Sequence, residues 1–245
     1  SLENYKSVRK DLKDIQKPII RLHSLRQDNL EMIIKTYAES NRPVPLHVSE
    51  SVCVLNALED GTDISRWKVI TLLRDPVARN ISAFFHNINI YIPDFKERLL
   101  AKTIDTESCI EYFRNGFGRA HDVPISWLDY ELKSTLGIDL YETDFPVSGG
   151  YKIYKGEHPD LLLVKLEHLN LCVQSAFKDF MDIDGFELKK KNIGEEKEYS
   201  SLYKEFIDSI VLPESYLEKM YSSKYARHFY SDEELAGFRK RWKKS

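Results

Sequence analysis

The sequence predicts a helix-rich α/β fold built on a small central parallel sheet that is flanked by helices. Three short apolar runs have the composition of buried strands, at 19–22, 68–73 and 161–166. Segments with helical periodicity separate these runs, and no alternating strand meander lies between them. Because the 245 residues contain no internal repeat and no low-complexity linker, we expect a single domain over 1–245.

Composition restricts the possible partners. The 36 basic and 39 acidic residues give a net charge of -3, so there is no general attraction to nucleic acid or to an anionic membrane surface. No apolar run approaches the roughly 20 residues that span a bilayer, so no membrane segment is expected. Cys53, Cys109 and Cys172 are far apart and lack metal-ligand spacing, which predicts buried thiols in a reducing compartment.

The first part of the chain is predicted to begin with helices. Apolar residues recur at helical spacing over 2–15, and Pro18 ends that helix before the strand at 19–22. Two amphipathic helices follow, one through 30–38 and one through 52–58. The β-rich run at 68–73 then gives the second strand.

The turn after this second strand carries the clearest local signals. Arg74 follows the strand, Asp75 can cap a helix N-terminus, and Pro76 suits the first helical position. Arg79 and Ser82 lie three residues apart on one face of that helix. A guanidinium and a hydroxyl can therefore converge on one anion near the strand end, and a terminal phosphate fits this arrangement.

The second half of the chain is predicted to be mostly helical after the strand at 161–166. Glu167 ends this strand, and we expect it to anchor a loop by hydrogen bonds rather than to catalyse. Ser231 and Glu234 have the spacing of a capping box for the last helix.

Several segments resemble known families. Arg74–Phe85 resembles the 3′-phosphate-binding motif of the sulfotransferases, Arg-Asp-Pro-x-x-Arg-x-x-Ser followed by two aromatic residues, and matches it at each named position. Leu161–Leu169 is similar to the late strand of that family, and His228–Glu234 to the Phe-Tyr-Ser helix start of the carbohydrate sulfotransferases. Together with Trp127–Lys133 and Asn192–Lys197, these segments resemble the capsular polysaccharide synthesis proteins, a sulfotransferase-like bacterial family.

The resemblance implies a P-loop nucleotide-hydrolase-like fold and a nucleotide cofactor. That cofactor is 3′-phosphoadenosine 5′-phosphosulfate, which leaves as 3′,5′-adenosine bisphosphate, and no metal is required. By the same resemblance, Arg74 and Ser82 hold the 3′-phosphate. Arg79 either joins them or pairs with an acidic neighbour. Lys191 and Lys197 either close over the 3′-phosphate as a basic loop or form solvated surface.

One element of the sulfotransferase pattern is missing from this sequence. The family begins with a strand and a phosphate-cradling loop, typically Lys-x-Gly-Ser/Thr-Ser/Thr, which holds the 5′-phosphosulfate at a helix N-terminus. None of the ten glycines lies in such a pattern. We therefore expect the domain over 1–245 to lack the first strand and this loop.

The candidate general base is His23, which follows the predicted strand at 19–22. An imidazole with a pKa near 6.5 suits proton removal from a sugar hydroxyl. A structural histidine at a strand end is the alternative, and His47 is a weaker rival for the same role. The turn at 116–119 and the residues Trp127, Asp129 and Glu131 fall where the family keeps its acceptor-binding insert.

The function predicted from these patterns is sulfuryl transfer to a hydroxyl of a capsular or other surface polysaccharide. The expected partner is a carbohydrate acceptor, and the expected compartment is the cytoplasm of a bacterium, or the Golgi lumen in a eukaryotic relative. A P-loop kinase or phosphotransferase is one alternative, since the same frame serves both chemistries. A non-catalytic nucleotide- or glycan-binding domain of a polysaccharide synthesis protein is the other.

Overall fold

The structure, a computed structural model, describes residues 19–22, 24–39, 41–157, 159–188 and 198–243. The predicted helix at 2–15 and the candidate site residues His23, Lys191 and Lys197 lie outside these ranges.

The chain divides into two compact units. Unit 1 comprises the residues up to Val69 together with Trp127–Leu140 and Tyr154–Leu161, and unit 2 comprises Ile70–Ser126, Tyr141–Ile153 and the residues from Leu162 onward. This division does not test the expectation of a single domain, which stays a prediction.

The described helices and strands follow one another along the chain as α1 (Gln27–Glu39), α2 (Leu46–Glu59), β1 (Lys68–Leu73), α3 (Pro76–His86), α4 (Ile88–Tyr91), α5 (Phe95–Leu100), α6 (Thr106–Glu111), a π-helix (Tyr112–Gly116), a 3₁₀ helix (Gly118–Asp122), α7 (Val123–Trp127), a second π-helix (Leu128–Lys133), α8 (Ser134–Leu136), β2 (Tyr151–Tyr154), β3 (Asp160–Lys165), a second 3₁₀ helix (Leu166–His168), α9 (Leu169–Met181), α10 (Ser200–Ser209), α11 (Glu214–Tyr221), α12 (Lys224–Phe229) and α13 (Asp232–Lys243). The chain is therefore helix-rich with a small sheet, as predicted.

The sheet is mixed, so the prediction of an all-parallel sheet is wrong. Its strand order is β1-β3-β2, and β2 was not predicted. A connection as short as the one from Tyr154 to Asp160 joins antiparallel neighbours, whereas parallel strands need a longer crossover. β2 and β3 are thus the antiparallel pair, and β1 and β3 are the parallel pair. Consistent with this, residues just beyond the two strands meet, because the Asp75 amide donates to Glu167 Oε1 at 2.7 Å.

The predicted strand at 19–22 is also wrong. These residues have irregular backbone in the structure. Ile19 is 77% exposed and Leu22 is 39% exposed, so the run is not packed as a strand in a sheet core would be. A four-residue apolar run has too little pattern to distinguish a buried strand from an extended surface segment.

The predictions that rest on local signals are confirmed. β1 covers Lys68–Leu73, and α3 begins at Pro76 with the Asp75 side chain accepting from the Val77 amide at 3.0 Å. The capping box of α13 is present, since the Glu234 amide donates to Ser231 Oγ at 3.2 Å and the Ser231 amide donates to Glu234 Oε2 at 2.9 Å. Such contacts lie within a few residues and are fixed by sequence spacing.

Each unit has its own apolar core. In unit 1, α1 and α2 pack through a cluster that contains Leu30, Ile34, Val48, Val52 and Leu55. In unit 2, α9 covers β3 through Leu162, Val164, Cys172, Ala176 and Phe180. Phe84 on α3 is fully buried among the rings of Phe113, Phe117 and Phe206, with centroids 5.5 to 6.2 Å away.

All three cysteines are buried thiols and none forms a disulfide, as predicted from their spacing. Burial raises the pKa of the Cys109 thiol to about 11. In the described part of the chain, no helix combines the length and the apolar character needed to cross a membrane.

A buried carboxylate fixes the turn between β1 and α3. Asp75 Oδ1 accepts from the Val77 amide at 3.0 Å and from Tyr221 Oη at 2.9 Å, and Oδ2 accepts from Trp242 Nε1 at 3.2 Å. Burial raises the pKa of Asp75, and the three donors oppose that rise. The nearby Glu167 carboxylate adds to it. Asp75 thus joins the N-terminus of α3 to α11 and α13.

We expect Asp75→Ala to lower the free energy of unfolding by about 3 kcal/mol or more. The substitution removes a helix cap and leaves two buried donors, Tyr221 Oη and Trp242 Nε1, without an acceptor. Asp105→Ala is the matched control, since Asp105 caps α6 through the Ser108 amide but is exposed. That variant should lose only about 1 kcal/mol. Urea denaturation measures both, and equal losses would show that the buried hydrogen bonds of Asp75 contribute nothing.

Candidate anion-binding site

The predicted phosphate-binding residues lie on one short segment at the carboxyl edge of β1. Arg74 occupies the turn, and Arg79 and Ser82 lie on α3, three residues apart and therefore on one face of the helix. All three residues are partly buried and belong to unit 2. Charged groups at the carboxyl ends of parallel strands are placed where ligands of α/β proteins collect.

Arg79 is a desolvated cation without an acidic partner in the described ranges. Burial lowers the pKa of its guanidinium, an effect that the nearby phenol groups of Tyr225 and Tyr91 oppose. Among the described residues, its side chain makes one hydrogen bond, from Nη1 to the neutral Asn80 Oδ1 at 3.4 Å. No carboxylate of a described residue lies within ion-pair distance of Arg79, so the alternative of a pair with an acidic neighbour finds no support here.

The side chains of Arg74 and Ser82 also lack partners, since neither forms a hydrogen bond or an ion pair with another described residue. Two other arginines of unit 2 form ion pairs. Arg227 pairs with Asp232 at 2.8 Å, and Arg239 pairs with two glutamates of α11. Burying a cation without a counter-charge is costly, so an anion held at Arg79 would relieve that cost.

A buried polar network fixes α3 from the side. Asn80 Nδ2 donates to the His121 carbonyl at 2.8 Å and to Tyr216 Oη at 3.1 Å. Tyr216 Oη lies 2.9 Å from His121 Nδ1, while His121 Nε2 lies 3.0 Å from the Phe113 carbonyl. Because a carbonyl only accepts, Nε2 carries a proton, and in the neutral ring Nδ1 then accepts from Tyr216 Oη. Burial lowers the pKa of His121, which favours this neutral form.

The backbone of the Arg74–Asp75 turn is held by residues distant in sequence. Tyr225 Oη accepts from the Arg74 amide at 3.0 Å and donates to the Arg74 carbonyl at 2.8 Å. Glu167 accepts from the Asp75 amide through Oε1 and from Tyr230 Oη through Oε2 at 3.2 Å. The loop-anchoring hydrogen bonds expected of Glu167 are therefore present.

Sequence reasoning missed a second cation at the strand ends. Lys165, the last residue of β3, is fully buried, and its Nζ donates to both Glu234 oxygens at 2.9 and 3.0 Å and to the Val147 carbonyl at 3.0 Å. An ammonium group has three protons, so these bonds use its full capacity. Lys165 is therefore a structural cation, whereas the arginines of the turn and of α3 have no carboxylate partner among the described residues.

The residues of the predicted acceptor-binding insert belong partly to unit 1. Within that unit, Glu131 accepts from Ser24 Oγ at 2.5 Å and from the Leu25 amide at 2.6 Å, so it anchors the 24–25 backbone. The Arg26 guanidinium lies 4.8 Å from the centre of the Tyr130 ring. These contacts order the segment, and its role toward an acceptor stays a prediction.

The comparisons with known proteins give one family. The model of the family described as "Putative capsular polysaccharide synthesis protein" matches residues 100–231, more than half of the chain. No curated protein and no solved structure matches the sequence significantly. The matched region excludes Arg74–Ser82 but includes Glu167, Tyr221, Tyr225 and Tyr230, the residues that bind the Arg74–Asp75 turn or brace its anchor.

The lowered pKa of His121 predicts a pH dependence of stability. Burial lowers the pKa of His121, so the unfolded chain binds a proton more readily than the folded chain. The free energy of unfolding should therefore fall as the pH drops through about 6.5, the ordinary imidazole value. We expect His121→Gln to lose this part of the pH dependence in urea denaturation between about pH 8 and about pH 5. Parallel curves for the two proteins would contradict this assignment.

Proposed function

This chain belongs to the capsular polysaccharide synthesis family that matches residues 100–231, and we propose that it transfers a sulfuryl group to a sugar hydroxyl of a surface polysaccharide. The proposed donor is 3′-phosphoadenosine 5′-phosphosulfate. The family description supports a role in polysaccharide synthesis, and the Arg74–Ser82 segment supports the choice of donor.

The single observation that carries the proposal is the state of Arg79. A guanidinium that is desolvated, and that finds only an amide oxygen as a polar partner among the described side chains, suits a bound phosphate. Ser82 lies on the same helix face and offers a hydroxyl donor. Arg74 adds a second guanidinium at the end of β1. Two cations and a hydroxyl match the charge and the donor requirement of a terminal phosphate.

These residues fit the 3′-phosphate half of the donor. For the 5′-phosphosulfate half, the sequence contains no Lys-x-Gly-Ser/Thr-Ser/Thr segment. We assign no described residue to that half of the donor. Lys191 and Lys197, which lie outside the described ranges, are proposed to close over the 3′-phosphate as a basic loop.

In the proposed reaction, this chain's side chains have two roles, to remove a proton from the acceptor and to hold the nucleotide. When bound, the donor supplies an activated sulfuryl group. His23, also outside the described ranges, is proposed to remove the proton from the attacking sugar hydroxyl. Arg74, Arg79 and Ser82 hold the nucleotide in place, so the energy of binding its 3′-phosphate orients the reacting group.

Calorimetric titration with 3′,5′-adenosine bisphosphate tests the proposal. We expect binding that does not depend on Mg²⁺ and that weakens by about 10- to 100-fold in Arg79→Ala, the loss expected for a charge-assisted hydrogen bond to phosphate. Ser82→Ala should weaken binding less. Arg227→Ala is the control, because it removes the same charge from an exposed arginine already paired with Asp232.

The alternatives give different results in the same titration. Preference for ATP with Mg²⁺ over the bisphosphate would favour a phosphotransferase and contradict the proposal. Equal binding by wild type, Arg79→Ala and Arg227→Ala would place the nucleotide elsewhere. Bisphosphate binding without sulfuryl transfer to any polysaccharide acceptor would favour a non-catalytic nucleotide-binding domain.

A further inference from the structure

The hydroxyl of Tyr225 makes an unusual pair of contacts with one residue. It accepts from the Arg74 amide at 3.0 Å and donates to the Arg74 carbonyl at 2.8 Å. Tyr225 is buried on α12, and Arg74 lies 151 residues earlier in the chain. One side-chain oxygen therefore satisfies both backbone polar groups of the residue whose side chain is proposed to bind phosphate.

This pair of bonds constrains the direction of the Arg74 side chain. The amide and carbonyl of one residue point to the same side only when its backbone is extended, as in the hydrogen-bonded pairs of a sheet. Tyr225 thus acts on Arg74 as a neighbouring strand would, one residue beyond the end of β1. With the backbone extended and fixed, the Cα–Cβ bond of Arg74 has one direction, because side chains alternate along an extended strand.

Glu167 fixes the next residue of the turn in a comparable way. Its Oε1 accepts from the Asp75 amide at 2.7 Å, and its Oε2 accepts from Tyr230 Oη at 3.2 Å. Consecutive amides at 74 and 75 are therefore held by two side chains from different elements. The Arg74 side chain itself remains uncommitted among the described residues, so this bonding orders the backbone and leaves the guanidinium available.

We propose that Tyr225 and Glu167 are positioning residues that aim the Arg74 guanidinium at the 3′-phosphate of the bound nucleotide, an inference that rests on the proposed function. Neither residue is assigned a contact with the ligand. Their effect passes through the Arg74 backbone, so it concerns the phosphate that Arg74 contacts and not the rest of the nucleotide.

The experiment compares two probes on one set of variants. The affinity ratio of 3′,5′-adenosine bisphosphate to adenosine 5′-phosphate isolates the contribution of the 3′-phosphate. We expect Tyr225→Phe to lower this ratio by about tenfold while the affinity for adenosine 5′-phosphate changes little, since misplacing one charge-assisted hydrogen bond has that effect. Glu167→Ala should lower the ratio in the same direction and by less.

Tyr154→Phe is the matched control, because it also removes the hydroxyl of a buried, hydrogen-bonded tyrosine, but one that donates to the Leu140 carbonyl instead of contacting Arg74. A purely structural role for Tyr225 would lower the melting temperature and the bound fraction in both tyrosine variants without changing the ratio. If Tyr225→Phe does not fold, Glu167→Ala, a substitution at an exposed residue, tests the same proposal.

The outcomes distinguish the proposed function from the positioning role of Tyr225 and Glu167. If wild type does not distinguish the two probes, the proposed function is wrong, and this inference is wrong with it. If wild type prefers the bisphosphate and both Tyr225→Phe and Glu167→Ala keep the wild-type ratio, the positioning role alone is overturned.

Discussion

The buried carboxylate of Asp75 is the interaction on which unit 2 depends. It accepts three hydrogen bonds, from the first turn of α3, from α11 and from the last helix. A buried carboxylate is tolerated only when such donors surround it, so these helices have to be in place for the turn to form. The turn in turn sets where Arg74 leaves β1 and where α3 begins. The end of the chain therefore organises a segment from its first third.

The charged and polar groups around this turn differ in whether they have hydrogen-bond or ion-pair partners among the described residues. Lys165 donates its three protons to Glu234 and a carbonyl, and both ring nitrogens of His121 have hydrogen-bond partners, Tyr216 and a carbonyl. Arg79 is also desolvated, yet no described carboxylate pairs with it. Because the neighbouring buried Lys165 has a carboxylate partner, the lack of one for Arg79 is informative. That contrast, more than the motif alone, supports an anion at Arg79.

The parts of the fold that follow from the sequence are those fixed by local spacing. The strand at Lys68–Leu73, the Asp75 cap, Pro76 at the first helical position and the Ser231 capping box all involve residues within a few positions. The four-residue strand β2 and the irregular 19–22 segment depend instead on which distant residues pack against them. Tertiary context decides such short segments, and single-sequence patterns do not contain it.

The candidate site divides in the same way. Arg74, Arg79 and Ser82 share one segment, so the sequence spacing alone places them together, and their role toward a phosphate stays a prediction. Asn80, Tyr216 and Tyr225 were missed because their hydrogen bonds span from 41 to 151 residues. Glu167 could be assigned an anchoring role because a carboxylate directly after a buried strand needs donors nearby.

A crystal structure of the protein bound to 3′,5′-adenosine bisphosphate tests the central claim most directly. The account predicts 3′-phosphate oxygens within hydrogen-bond distance of the Arg79 guanidinium and the Ser82 hydroxyl, with Arg74 contacting the same phosphate. A nucleotide bound with both phosphates away from these three side chains would contradict the account.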